Sequence, residues 1–206
     1  MTHSLHRCGR DQDKDYIWLL YHAAGINDEN LLERLRQAVG IAEQEGSINW
    51  GDVKSGPVVC LQPQEIKERL TEASRLRGVF CSQEQVTRFL RKMKEADLGL
   101  CVTVSGPLEH VLDSCRQAGV RPHTINYCLG VFGRTDLLPD EDVLALTTMC
   151  GHHMVPDGVA ARMREKVRKG KTTPQEAALE MAEMCPCGIF NQQRAAELLA
   201  TCADTS

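Results

Sequence analysis

Aromatic residues are scarce in this chain: Phe, Trp and Tyr make up 4% of its 206 residues. A stacking platform for nucleobases needs several aromatic faces, so single-stranded nucleic acid is not an expected partner. Positive charge is not in excess either. Lys and Arg number 24 against 28 Asp and Glu, for a net charge of -4. That balance argues against a phosphate-neutralising surface as the main feature. No run of eighteen apolar residues occurs, so no membrane-spanning helix is expected. The opening stretch, Met1 to Cys8, lacks the apolar core of a secretory signal, which leads to the expectation of a cytoplasmic protein.

Cysteine, by contrast, is abundant, with ten residues. In a chain with no export signal, thiols serve metal or redox chemistry more often than structural disulfides. Residues 1–14 are polar and carry His3, His6 and Cys8, and they read as a loose N-terminal arm.

The pattern predicts an α+β protein. A small parallel or mixed sheet with flanking helices occupies residues 1–136, and a helical, cysteine-rich four-helix module occupies 137–206. Tyr16 to His22 is a short apolar run, either a strand or the start of a helix. Asn27-Asp28-Glu29 opens a helix that runs to about Glu45, with Leu31, Leu35, Val39 and Ala42 as its buried stripe. Asn49 to Pro57 reads as a loop, Val58 to Leu61 as a buried strand, and Gln64 to Arg75 as a helix after Pro63. Ser82 reads as the N-cap of a helix reaching Ala96. Leu98 to Val104 is β-branched and apolar, a buried strand. Ser105-Gly106-Pro107 turns into a helix, Leu108 to Gln117, ended by Gly119, and Pro122 to Leu129 reads as the next strand. Strand, helix, strand at these lengths is a βαβ unit, hence the parallel sheet.

Beyond Leu138 everything reads as helix. The first helix carries Pro139 and then Asp140, Glu141 and Asp142 in its first turn, and it ends at Met149-Cys150 with Gly151 as a left-handed cap. The second starts near Pro156, buries Val159, Met163 and Val167, and stops at Gly170. The third opens on a capping box, Thr173 to Glu176, with Pro174 inside it. Asn191 caps the fourth. The link between the second and third is too short for anything but antiparallel neighbours. At about 1.5 Å per residue these two helices are roughly 20 Å and 16 Å long, so the Cys150 loop and the Cys185-Pro186-Cys187-Gly188 loop share one end of the bundle.

Cys150, Cys185 and Cys187 then supply three soft ligands, with His152, His153 or Cys128 as a fourth. Three thiolates with a fourth or open position suit an iron–sulfur cluster of the 4Fe–4S kind, which is the first expectation. Three cysteines and a histidine also suit zinc, although Cys-Pro-Cys is tighter than the usual zinc spacing. Metal-free redox thiols are a third reading, with Cys185 as nucleophile and Cys187 resolving. The expected function is accordingly a cytoplasmic iron–sulfur oxidoreductase or electron-transfer protein, a cluster iron without a protein ligand being available as a Lewis acid. The alternative is a zinc-stabilised interaction or regulatory protein without catalysis. Ser105 and Gly106, at a helix N-terminus, are candidate contacts for a small anionic substrate or cofactor facing Asn126, Tyr127 and Cys128. The basic run of Arg162, Arg164, Lys166, Arg168, Lys169 and Lys171 is a candidate dock for an acidic electron donor. His22, His110 and His123 have no spacing partner and read as structural or exposed. Cys60, Cys81, Cys101 and Cys115 read as core thiols, and Cys202 lies near a fraying end.

Overall fold

The first apolar run, Tyr16–Tyr21, becomes strand β1, near the middle of the sheet. The computed structural model describes residues 6, 7 and 12–203, so His3 and Cys8 of the N-terminal arm lie outside the described residues, as does the side chain of Cys202. In a strand, alternate side chains face opposite ways. Tyr16, Trp18 and Leu20 enter one apolar cluster, with helices α1 (Leu31–Gln44) and α3 (Gln83–Ala96). Ile17 enters a second cluster, among the C-terminal helices. Both faces are covered, which is why the run shows no polar alternation.

Strands β2 (Asn49–Asp52), β3 (Gly56–Pro57), β4 (Arg77–Phe80) and β5 (Cys101–Ser105) complete a five-stranded sheet in the order β3-β2-β4-β1-β5. Every pairing is antiparallel. This corrects the expected parallel or mixed sheet. The expectation rested on Pro122 to Leu129 returning as a strand after helix α4 (Leu108–Ala118). That stretch forms no ladder and lies exposed, with Tyr127 at 57% and Leu129 at 84% accessibility. Its β-branched and aromatic residues describe a fit to a half-buried pleated surface, and no second layer covers them here.

Two strands escape a reading by residue type. Asn49, Gly51 and Asp52 look like turn formers, yet they build β2. Gly78 looks like a breaker in β4. A Cβ there would stand 2.5 Å from the Asn49 carbonyl oxygen and 2.6 Å from the Trp18 indole, so glycine is what lets that ring lie flat on the strand. Val58 to Leu61 forms turns rather than a strand, and the helix after Pro63 is short, α2 (Pro63–Glu68).

Helices α5 (Glu141–Thr147), α6 (Asp157–Arg168), α7 (Pro174–Ala182) and α8 (Gln192–Ala203) follow, and Leu146, Met163, Met181 and Leu199 of the four share one apolar cluster. The helix signals hold. Ser82 and Thr173 each form a capping box. Asp140, expected inside the first turn, is itself the N-cap of α5 and accepts from the Val143 N–H at 3.0 Å. Asn191 Oδ1 accepts from the Arg194 N–H at 2.8 Å. These helices are fastened to the sheet by side-chain amides: Asn49 donates to the Phe190 carbonyl at 3.0 Å and Gln192 to that of Ile48 at 2.8 Å. Between them sits a buried charge cluster, Asp15 with Arg194 at 2.7 Å and with Arg7.

Candidate metal centre

Helix α5 ends with Thr147, and Gly151 takes a positive φ of 72°, which reverses the chain and sets His152 back over the helix end. At the other loop α7 stops at Ala182, the Cys185 N–H donates to its carbonyl at 3.0 Å, and the Gly188 N–H closes the Cys-Pro-Cys turn on the Cys185 carbonyl at 3.3 Å. Gly188 also has φ 72°, and a Cβ on it would lie 2.3 Å from the Trp50 carbonyl carbon and 2.5 Å from the Gly51 nitrogen. The second loop is therefore pressed onto the backbone of β2, and any larger residue would lift it off.

The two loops do meet at one place. Cys150, Cys185 and Cys187 are 1%, 0% and 2% exposed. The Cys185 and Cys187 sulfurs are 3.3 Å apart, and Cys187 Sγ lies 3.6 Å from His152 Nδ1. Cys150 lies near enough to Cys185 and His152 for both to act on its thiol. The imidazole lies on the solvent side and the sulfurs below it.

Ionisation follows the direction of these hydrogen bonds. The bond to Cys185, and then burial, push the Cys150 thiol up to about 12. Cys185 gains from the Cys150 hydrogen bond, but its own bond to Cys187 and its burial outweigh that and carry it up to about 11. Cys187, which receives the Cys185 hydrogen bond, is held below the ordinary thiol value. It is the first of the three to offer a thiolate.

Among the described residues no group of three or more His, Cys, Asp or Glu side chains is placed so that it could hold a metal ion. Zinc bonds of about 2.3 Å to sulfur and about 2.0–2.1 Å to nitrogen imply, at a tetrahedral angle, sulfur–sulfur separations of about 3.8 Å and sulfur–nitrogen separations of about 3.6 Å. The Cys187–His152 distance matches the second value, and the Cys185–Cys187 pair is drawn in to a thiol–thiol hydrogen bond.

The other expected ligands stand elsewhere. His153, with a positive φ of 55°, turns to Asp157 at 3.3 Å. Cys128 is exposed and accepts from the Gly130 N–H in its own loop at 3.4 Å. It lines a cavity of about 390 Å³ together with Ser105, Gly106, Asn126 and Tyr127, and with Arg7 and Asp15. In the basic run, Arg164 pairs with Asp140 at 2.6 Å, Arg168 and Lys169 with Glu165 at 2.8 Å, and Lys166 with Glu180 at 3.7 Å.

Of the four thiols expected in the core, Cys115 is buried and Cys81 half-buried. Cys60 and Cys101 are exposed. Cys101 pairs with His123, at 3.7 Å from Sγ to Nε2. Their separation of twenty-two residues carries no motif. Asp15, Arg7 and Arg194, from the two ends of the chain, are equally invisible as a cluster before folding.

Comparison of the chain with protein-family models, curated proteins and solved structures finds no match. No helix among the described residues is long and apolar enough to cross a membrane.

Proposed function

We propose that Cys150, Cys185, Cys187 and His152 hold a single tetrahedral ion, zinc, and that the protein is a zinc-stabilised interaction or regulatory factor. The supporting observation is the grouping of three buried sulfurs and one imidazole from two loops thirty-odd residues apart, with Cys187 in contact with both Cys185 and His152. Each iron of a cluster takes one thiolate, which holds neighbouring thiolates a cluster edge apart. Sulfurs as close as 3.3 Å support a single ion over a cluster. Closing the site asks the Cys185–Cys187 pair to open by about half an ångström and to shed its protons, since zinc binds thiolates. The ion would then join the end of α5 to the end of α7 and lock α5–α8, read as one four-helix module, against β2.

The donor set also favours a second reading. Three soft thiolates are the common ligands of iron–sulfur clusters. On that reading the protein is an oxidoreductase or electron-transfer partner, the residues of the basic run left over from internal ion pairs meet an acidic donor, and the Ser105–Gly106 cavity takes a small anionic substrate. Purification without oxygen separates the two. Zinc bound with no acid-labile sulfide supports the single-ion site, and iron with sulfide and broad visible absorbance supports the cluster. Cys185→Ser abolishes metal under both readings, and unchanged metal content in that variant refutes the site itself.

A further inference from the structure

We infer that Cys101 and His123 form a second thiol site, a nucleophile and its base, at the mouth of an apolar cavity that accepts the acyl chain of a thioester. Nothing in this inference depends on the metal centre.

The cavity measures about 820 Å³ and lies between β5, the C-terminal part of α3 and residues 120–126. Its walls include Leu90, Met93, Leu98, Val102, Val104 and Val120. Val102, Val104 and Val120 are only half-buried, so their apolar surface is left for an occupant. Volume and lining are those of a small-molecule site: apolar walls with few polar groups. The rim carries Lys94 and Arg121 against Asp97, a net positive edge suited to the charged or polar end of an amphipathic donor.

Cys101 and His123 both line this cavity. Sulfur and Nε2 are 3.7 Å apart, and on the far side of the ring Nδ1 lies 2.8 Å from the Thr124 hydroxyl. A nucleophile in hydrogen-bond reach of a base, with the base oriented by a third group, is the arrangement that activates a thiol. With the Thr124 oxygen accepting from Nδ1–H, the Nε2 lone pair faces the Cys101 thiol. Thr124 acts through His123 and is a positioning residue.

The chemistry balances without an oxidant or reductant. Cys101 gives its proton to His123 Nε2 and its sulfur attacks the thioester carbonyl carbon. The bond from that carbon to the departing sulfur breaks, and the departing thiolate takes the proton from His123. The products are an S-acyl Cys101 and a free thiol. Water then cleaves the acyl group as a carboxylic acid and restores the Cys101 thiol.

Cys60 and Cys128 are also exposed, and they serve as internal references. The full-length protein is incubated with the decanoyl and acetyl thioesters of a small thiol, and acylation of each cysteine is followed by peptide mass spectrometry. With the decanoyl donor, Cys101 is expected to react about 10²-fold faster than the two references, at the low end of what a positioned base supplies. The acetyl donor is expected to show a smaller preference, because it leaves the cavity empty. His123→Gln is expected to bring Cys101 down to the reference rate. Thr124→Val is expected to lower the Cys101 rate alone, and Thr124→Ser to restore it. A Cys101 rate equal to those of Cys60 and Cys128 in the unmodified chain overturns the nucleophile. Equal preference for acetyl and decanoyl donors overturns the cavity's role.

Discussion

The protein holds two cysteine–histidine contacts of nearly equal length, 3.6 Å at Cys187–His152 and 3.7 Å at Cys101–His123, in opposite surroundings. At the first, two more buried thiols, Cys150 and Cys185, stand beside the pair. At the second, the thiol is exposed, the imidazole is its one close ionisable partner among the contacts described, and an apolar cavity opens beside it. On the proposed readings, what separates metal ligand from nucleophile is the number of neighbouring donors and their burial, more than the distance from sulfur to nitrogen.

The largest effect should come from breaking the first site. Cys185→Ser, or a strong chelator, is expected to lower the thermal midpoint by at least about 10 °C, since structural zinc contributes folding energy directly and each kcal/mol moves a chain of this size by about 2–4 °C. A midpoint unmoved by chelation would mean that the group of thiols is only a packed core. The next effect separates stability from metal. Asp15→Ala leaves Arg194 buried without its carboxylate partner, which costs about 3–5 kcal/mol. Zinc content should nevertheless stay at the level of the unmodified protein, as metal analysis will read. Third, the two adjacent histidines should part company. His152→Gln is expected to weaken zinc by at least about 10–100-fold in a competition titration, and His153→Gln to leave affinity unchanged. Equal losses would place both in the site. Smallest of all, Cys101→Ser is expected to shift stability by no more than about 0.5 kcal/mol, as for other surface changes, and to leave zinc in place.

Much of the first site was legible before folding, and the reason is local. Gly151, Gly170, Thr173, Pro174 and Asn191 punctuate the helices by their own backbone and capping preferences. A short turn between two helices fixes their direction, so the meeting of Cys150 with Cys185 and Cys187 follows from counting residues. That His152 and not His153 lies against Cys187 did not follow. It depends on the left-handed Gly151 and on Asp157 capturing the second imidazole.

The sheet was less legible because its decisive contacts are remote. Strand β2 is built of Asn, Trp, Gly and Asp, held extended by ladders to β3 and β4 and packed against Phe190 and Gly188, about 140 residues away. Pro122 to Leu129 carries every local mark of a strand and pairs with nothing. The second site was illegible altogether. Cys101 reads as a core residue because it lies within the apolar run Leu98 to Val104, but β5 is an edge that begins at Cys101, and that residue is exposed. Exposure at a sheet edge, and the side-by-side placement of residues 101 and 123, belong to the tertiary structure.

The central claim is that two loops close on a single ion. X-ray absorption at the zinc edge of protein purified without oxygen tests it most directly. The expected result is one zinc per chain with three sulfur neighbours at about 2.3 Å and one nitrogen at about 2.0–2.1 Å. Iron with iron–iron scattering, or a chain that binds no metal at all, would contradict it.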